Sequence, residues 1–378
     1  MTHSVMQMVY ALAPGGSEML AGEVARAGIA AGMTMSVCAL HRGGSLQQKL
    51  EKAGVRTHVI GRRDGFHPDT FLRAYRLFKR HRPTVVITHH LGQLFYSALG
   101  ARLAGCRLLH VEHECYTIAS TSAQRRLRFM TRLANRVVGV SEEVVSFLVN
   151  RVGLPSNKVE LIPNGVDVGR FRPRPRALQV TLAKDGDEPI IGTVGRLDPV
   201  KDHATLVAAF GRVLTVWPNA MLVIVGDGEM RSALEVDIES RGMERHVKLL
   251  GERGDLDELI PAMDVFVLSS VCEGLPLALL EAMACGRPVV VTDAGAAAGL
   301  VNKAGAGRSV PCRDPEALAR AILQVLESQS DASQMGRAGR AFVEKHHNLD
   351  ETVAAYLSLV RKVGGPGHFC SGASRINR

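Results

Sequence analysis

Residues 84–111, TVVITHHLGQLFYSALGARLAGCRLLHV, decide the fold. Thr84–Thr88 is a β-branched run without polar alternation, which suits a strand buried on both faces. Gly92–Ala104 then carries apolar residues at helical spacing, and Arg107–Val111 is a second short apolar run. Strand, helix and strand with short connections make one unit of an α/β protein with a parallel sheet. The alternation extends in both directions. Val5–Leu12, Thr34–Leu40, Arg56–Ile60, Arg136–Val140 and Val159–Ile162 read as strands, and Glu18–Ala31, Leu46–Ala53, Pro68–His81, Ala123–Ala134 and Ser141–Arg151 as helices.

The pattern breaks at Phe171–Glu188, where Arg172-Pro173-Arg174-Pro175-Arg176 and Lys184-Asp185-Gly186-Asp187 have the composition of a linker. It resumes with strands at Ile190–Val194, Met221–Val225, Val247–Leu249, Val265–Leu268 and Pro288–Val291. Helices alternate with them at Ala204–Val216, Met230–Arg241, Leu256–Met263 and Pro276–Cys285, and three more follow at Pro315–Glu327, Asp331–His346 and Asp350–Val363. The 378 residues thus divide into an N-terminal domain 1–171, a linker 172–189, a C-terminal domain 190–347, a helix 348–363 returning toward the N-terminal domain, and a tail 364–378. Two domains match a prior of ~150 residues each. Ligands in such sheets bind at the carboxyl ends of the strands, so a cleft between the halves is the expected site.

Formal charge is +9, and it is unevenly placed. Residues 1–180 hold 25 Lys and Arg against 11 Asp and Glu, whereas residues 181–378 hold 21 against 26. The basic half points toward an anionic partner. Aromatics at 4% leave little stacking surface for single strands, and no helix-turn-helix or finger spacing occurs, so nucleic acid is set aside. An anionic membrane surface or a phosphate-bearing substrate fits. The seven cysteines contain no C-x-x-C pair, which excludes a thiolate zinc site and makes a reducing cytosol the expected compartment. No signal-peptide pattern and no apolar run near ~18 residues appears.

Four stretches carry chemistry. Pro14-Gly15-Gly16-Ser17-Glu18 follows a strand and opens a helix, where glycines let backbone N–H groups approach an anion or sugar, although a plain turn capped by Ser17 has the same look. Gly195-Arg196-Leu197-Asp198-Pro199-Val200-Lys201 puts a guanidinium and an ammonium on one loop, a pair suited to a diphosphate. Gly226-Asp227-Gly228-Glu229-Met230-Arg231 lacks the third glycine of a dinucleotide fingerprint and reads as a tight strand-to-helix turn. The strongest is Glu273 to Val290, in which Pro276 suits a first helical turn and Glu273 and Glu281 bracket the helix start amid apolar neighbours.

Together with Ile162-Pro163-Asn164-Gly165-Val166-Asp167, these stretches resemble glycosyltransferase family 4, in that family's order and over most of the chain. The resemblance implies a GT-B architecture, two Rossmann-like doubly wound domains facing across a cleft, with a nucleotide sugar held mainly by the second and configuration retained. Arg196 and Lys201 match the pair on the donor diphosphate, Glu273 the glutamate near the transferred sugar, and Glu281 the one on the ribose. Gly16, Gly195, Gly226, Gly274, Leu275 and Leu277 fall at donor-binding positions, and Gly15, Ser17 and Glu18 on the acceptor side. His113, in Val111-Glu112-His113-Glu114, resembles the family histidine that faces the donor sugar. The chain departs from the family's Gly-Gly-x-x-Glu at Ala294-Gly295-Ala296-Ala297-Ala298-Gly299, where the second Gly and the Glu are absent.

Neither Asp185-Gly186-Asp187 in the linker nor Asp255-Leu256-Asp257 is read as a metal-ligand Asp-x-Asp pattern, so no metal or other cofactor is expected and the two cations are expected to hold the leaving diphosphate. The expected acceptor is a lipid-linked or growing polysaccharide, in exopolysaccharide, lipopolysaccharide or glycolipid synthesis. Leu127, Met130 and Ala134 among the arginines of residues 124–136 read either as an amphipathic helix able to rest on anionic lipid at the cytosolic face of the plasma membrane or as a helix packed on the sheet with its basic face solvated. A nucleotide-sugar 2-epimerase of GT-B fold and a non-catalytic sugar-nucleotide-binding protein are the competing readings.

Overall fold

The structure is a computed structural model that describes residues 3–174 and 188–365. Most of the linker read at 172–189 and all of the tail read at 364–378 beyond Gly365 lie outside the described residues. The chain divides into two compact units. The first comprises residues up to Val140, Val144–Ile162 and residues from Val353 onward, and the second comprises Ser141–Glu143 and Pro163–Thr352.

In chain order the first stretch holds β1 (Ser4–Val9), α1 (Gly16–Ala30), β2 (Thr34–Ala39), α2 (Ser45–Lys52), β3 (Arg56–Val59), α3 (Asp69–His81), β4 (Val85–His89), α4 (His90–Leu103), β5 (Arg107–Glu112), α5 (Thr121–Met130), β6 (Arg136–Gly139), α6 (Glu142–Ser146) and β7 (Val159–Leu161). All pairings in this sheet are parallel, in the order β3-β2-β1-β4-β5-β6-β7. Parallel strands covered on both faces need apolar residues at every position. Accordingly Val85, Val86 and Ile87 are each 0% exposed.

The second stretch holds β8 (Ile190–Val194), α7 (His203–Val213), β9 (Met221–Val225), α8 (Arg231–Ser240), β10 (Val247–Leu249), α9 (Leu256–Leu259), β11 (Val265–Leu268), α10 (Leu277–Ala284), β12 (Val289–Thr292), α11 (Ala296–Ala304), β13 (Gly307–Val310), α12 (Pro315–Glu327), α13 (Gln329–His346) and α14 (Leu349–Gly364). Its sheet is also parallel, ordered β10-β9-β8-β11-β12-β13. Each unit has its own core, one around Phe78, Met8 and Leu108 and one around Phe210, Leu222 and Val267. A side chain as fully buried as Phe78 or Phe210 contributes roughly 1.5–3 kcal/mol.

Both sheets reverse their winding direction once, between β1 and β4 in the first and between β8 and β11 in the second. Neighbouring connections leave such a switch point on opposite faces, which opens a crevice beyond the strands' carboxyl ends. The loops there are residues 10–15 and the His89-His90 junction in one unit, and residues 195–201 and 269–276 in the other.

Two expectations change. Leu127 and Ala134 are buried, and Met130 packs against the same core, so the apolar side of α5 and the turn after it lies against the protein and not against lipid. Arg125, Arg126, Phe129 and Arg132 form the outer side, with Phe129 64% exposed. The period identified an apolar stripe correctly, but a stripe does not say what covers it. Pro276 is the N-cap of α10 with extended ψ of 126°, one residue before the first helical turn.

Candidate functional site

In the second unit the switch point gathers residues distant in sequence. Lys201 Nζ lies 2.6 Å from Glu273 Oε1, and Ser270 Oγ donates to that same oxygen at 2.6 Å. Glu273 is 9% exposed. A carboxylate so enclosed is costly to bury unpaired, and Lys201 and Ser270 supply its partners. Lys201 is set by its own loop, because its backbone N–H donates to Asp198 and Ser269 Oγ donates to its carbonyl. Arg196 has a 74% exposed side chain, within 3.0 Å of Asp198 Oδ2. Its guanidinium is open to solvent beyond that ion pair, whereas the Lys201 ammonium is largely enclosed.

Glycine is required behind this loop. Gly226 has φ of +136°, and a Cβ there would lie 1.9 Å from the carbonyl oxygen of Gly195. Gly228 approaches Leu197 O as closely as 2.4 Å by the same measure. The 226–228 turn thus buttresses the 195–201 loop. Gly295, at φ of +64°, backs Glu273 in the same way, with a Cβ position 2.0 Å from Glu273 O. Of the altered 294–299 segment, then, the glycine that supports Glu273 is present.

Gly274, Leu275 and Leu277 continue from Glu273 into α10. Asn164 Nδ2 donates to Leu275 O at 2.9 Å, and its own carbonyl accepts from His347 Nδ1 at 2.9 Å. The Pro163-Asn164-Gly165 segment therefore anchors the loop before α10. Glu281 is half-buried on α10. Burial pushes its carboxyl up to about 7, with Asp257 adding to the rise and Arg170 opposing it.

In the first unit Gly15 is the N-cap of α1, and Ser17, read as a capping residue in one alternative, lies inside the helix. Ser17 Oγ donates to Glu18 Oε2 at 2.8 Å and lies 3.2 Å from His90 Nε2. His90 Nδ1 is 3.4 Å from Glu112 Oε1, and His110 Nε2 is 3.4 Å from Glu112 Oε2. Glu112 is wholly buried, yet its carboxyl is held down to about 2 by His110 and His90 against the opposing effect of burial. Burial lowers the His90 pKa, but the hydrogen bond and charge of Glu112 outweigh it, and the net shift is upward.

His113 lies just past the end of β5, and its Nε2 is 2.9 Å from His89 Nδ1. The tautomers follow from the next link. Gln7 Nε2 donates to Ala21 O, so Gln7 Oε1 must accept from His89 Nε2 at 3.1 Å. His89 Nδ1 is then the acceptor, and His113 carries its proton on Nε2. Burial, joined by the neighbouring histidines, holds His89 down to about 3 and His113 well below its ordinary value. His113 is thus a neutral imidazole at physiological pH.

Gly15, Gly16, Ser17, Glu18 and His113 therefore meet at one switch point, and Gly195, Arg196, Lys201, Gly226, Glu273, Gly274 and Leu275 at the other. Sequence reading missed His89, His90 and Gln7, and noted Glu112 beside His113 without giving it a role. The signal for the first two was a polar pair directly after the run Val85–Thr88. Among the described residues no group of three or more His, Cys, Asp or Glu side chains is arranged to hold a metal ion, and no helix is long and apolar enough to cross a membrane.

Comparison with known proteins matches both halves. The profile of Glycosyltransferase Family 4 covers residues 14–170, and that of Glycosyl transferases group 1 covers residues 176–342. The putative glycosyltransferase EpsF of Bacillus subtilis is 30% identical over 310 residues, covering 78% of this chain and 79% of that one. The UDP-Gal:α-D-GlcNAc-diphosphoundecaprenol α-1,3-galactosyltransferase of Escherichia coli is 27% identical over 275 residues, or 69% and 70% of the two chains. The crystal structure of Anabaena HepE in complex with UDP and glucose superposes with a TM-score of 0.84 at 21% identity, covering 95% of this chain and 99% of that one. That likeness concerns the fold.

Proposed function

The chain belongs to glycosyltransferase family 4 and is a glycosyltransferase of GT-B fold, and from that premise we propose that it moves a sugar from a nucleotide-diphospho-sugar to a hydroxyl of a lipid-linked or growing saccharide, with retention of configuration. The observation that carries the reading is the Lys201–Glu273 pair at the second switch point. A diphosphate leaving group gains negative charge as its bond to the anomeric carbon breaks. Fixed cations aimed there stabilise the transition state more than the ground state. Lys201 supplies such a cation, and the exposed Arg196 guanidinium adds a two-pronged donor.

Glu273 accepts from hydroxyls of the transferred sugar, sharing its charge between Lys201 and the substrate. Glu281 accepts from the ribose. The acceptor oxygen forms its bond to the anomeric carbon on the face that the diphosphate leaves, and a departing phosphate oxygen takes the acceptor proton. His113 serves as a neutral hydrogen-bonding group, because its proton on Nε2 is directed to His89 and its pKa is too low for a general base at neutral pH. The first unit supplies the acceptor side through Gly15, Ser17 and Glu18. Lipid-linked acceptors and a UDP-sugar donor in the named E. coli relative support the substrate class.

A thermal-shift panel of UDP- and GDP-sugars, followed by product analysis with the strongest stabiliser, tests the proposal. Donor-dependent glycosylation of a lipid-linked saccharide, with the anomeric configuration kept, is expected. Conversion of a nucleotide sugar into its epimer without any acceptor would overturn it.

A further inference from the structure

The first unit contains a cavity that the donor chemistry leaves unused. It measures about 400 Å³ and is lined by Gly61, Arg63, His67, Asp69 and Arg73, in the connection from β3 into α3. We propose that this cavity, with Arg42 and Arg62 beside it, is a subsite for a phosphate or diphosphate group carried by the acceptor. The inference deepens the proposed function and rests on its assignment of the acceptor to the first unit.

The first argument is charge. Arg42, Arg62 and Arg63 have no carboxylate within 4.0 Å among the described residues. The local carboxylates do not cancel them, since Asp69 is 2.7 Å from Arg73 and the fully exposed Asp64 comes no nearer to a cation than 4.0 Å from His41. His41 senses the excess positive charge, as burial and then Arg62 and Arg42 hold its pKa down while Asp64 opposes them. Cations gathered without anions raise the local potential and favour a multiply charged ligand.

The second argument is construction. Arg73 is held by the carbonyls of Ile60 and Gly61 at 2.7 and 3.3 Å, which presets its fork. Arg62 donates to His41 Nε2 and Gly65 O, and its guanidinium lies 4.9 Å from the centre of the Tyr96 ring. Arg62 Nε and Arg73 Nε are buried without a hydrogen-bond partner. Gly61 and Gly65, at φ of +73° and +91°, let the loop fold around the cavity. The His67 backbone N–H reaches Tyr96 Oη at 3.5 Å, tying the loop to α4.

The loop that lines the cavity adjoins the loops after β1 and β2. Arg42 O accepts from Leu12 N, and Tyr10 stacks on His41 with ring centres 4.2 Å apart, so the loops after β1, β2 and β3 meet there. Outside it Phe66 is 67% exposed, against Phe71 and Phe95 at 6.3 and 6.4 Å. That ring gives a lipid-borne phosphate an apolar surface for its first carbons.

The test measures binding of inorganic pyrophosphate to the full chain by calorimetry. Arg196→Ala/Lys201→Ala serves as the background, to remove the donor diphosphate site. Adding Arg42→Glu and Arg63→Glu is expected to weaken binding about tenfold or more, because charge-assisted hydrogen bonds are lost. Arg42→Lys and Arg63→Lys, with unchanged thermal melts as the folding control, should retain most of it. No pyrophosphate binding by the background protein, or affinity within about twofold after the Glu substitutions, overturns the subsite. Neutral phosphatidylcholine vesicles bearing a polyprenyl diphosphate, or the polyprenol alone, then identify the source. Capture that needs the diphosphate and is lost in Arg42→Glu/Arg63→Glu supports a lipid-borne ligand; a pyrophosphate effect without such capture supports a soluble one. Nucleoside diphosphate affinity of Arg42→Glu/Arg63→Glu in the otherwise unaltered chain should stay at its original value. A failed subsite would leave that affinity and donor turnover untouched, whereas failure of the proposed function would appear as absent donor binding with the pyrophosphate effect intact.

Discussion

At the residue scale, Lys201 and Glu281 do different electrostatic work. Lys201 is ion-paired with Glu273, so a diphosphate placed there as proposed would share it with that carboxylate. Lys201→Ala removes a fixed cation from the developing charge and leaves Glu273 enclosed without its partner. Steady-state kinetics should show kcat/KM reduced by about 10²-fold or more, with kcat carrying most of the loss. Glu281 acts through pH. Its carboxyl is raised to about 7, so the folded chain keeps a proton that the unfolded chain releases near the ordinary value of 4.5. The resulting stability penalty is absent below that value, grows as pH rises toward 7 and levels off above it. Glu281→Gln should therefore raise the melting temperature at pH 8 and leave it nearly unchanged at pH 4. If ribose hydroxyls donate to the ionised form, as proposed, nucleotide affinity by titration should strengthen from pH 6 to 8, and Glu281→Gln should flatten that dependence.

At the element scale, turns and a buried pair set the sites. Gly295→Ala would drive a methyl group against Glu273 O at a left-handed φ, and the loop bearing Glu273 must shift. A stability loss of about 1–3 kcal/mol is expected by chemical denaturation, with donor affinity reduced in parallel. Trp217, the single tryptophan, lies in the second unit and provides the fluorescence signal. Glu112→Gln leaves His90 and His110 without their anion in the first unit. Calorimetry should show a loss of about 3 kcal/mol at neutral pH. Much at this scale was legible in sequence, because strand and helix periods are local. The direction in which α5 faces was not, since Leu127 looks the same whether a core or a bilayer covers it.

At the scale of the whole molecule, two sheets with the same kind of strand order place two crevices at equivalent points of their topology. The first 180 residues carry the excess of basic charge, which the proposed function assigns to the acceptor, while residues 181–378 are net acidic. If Arg196 and Lys201 hold the leaving group, glycosyl transfer should proceed at an undiminished rate in excess EDTA; a rate abolished by chelator and restored by Mg²⁺ or Mn²⁺ would show that a metal shares that work. The sequence by itself determined the α/β class, the two-fold division of the chain and the motif residues Arg196, Lys201, Glu273 and Glu281. Those features rest on short-range patterns of period, glycine and charge. Only the tertiary structure decided that Lys201 meets Glu273 across 72 positions, that Glu112 is the buried anion between His90 and His110, and that the α3 connection encloses an arginine-lined cavity. Which strands become neighbours, and which loops therefore converge, is set by long-range packing that no local pattern encodes.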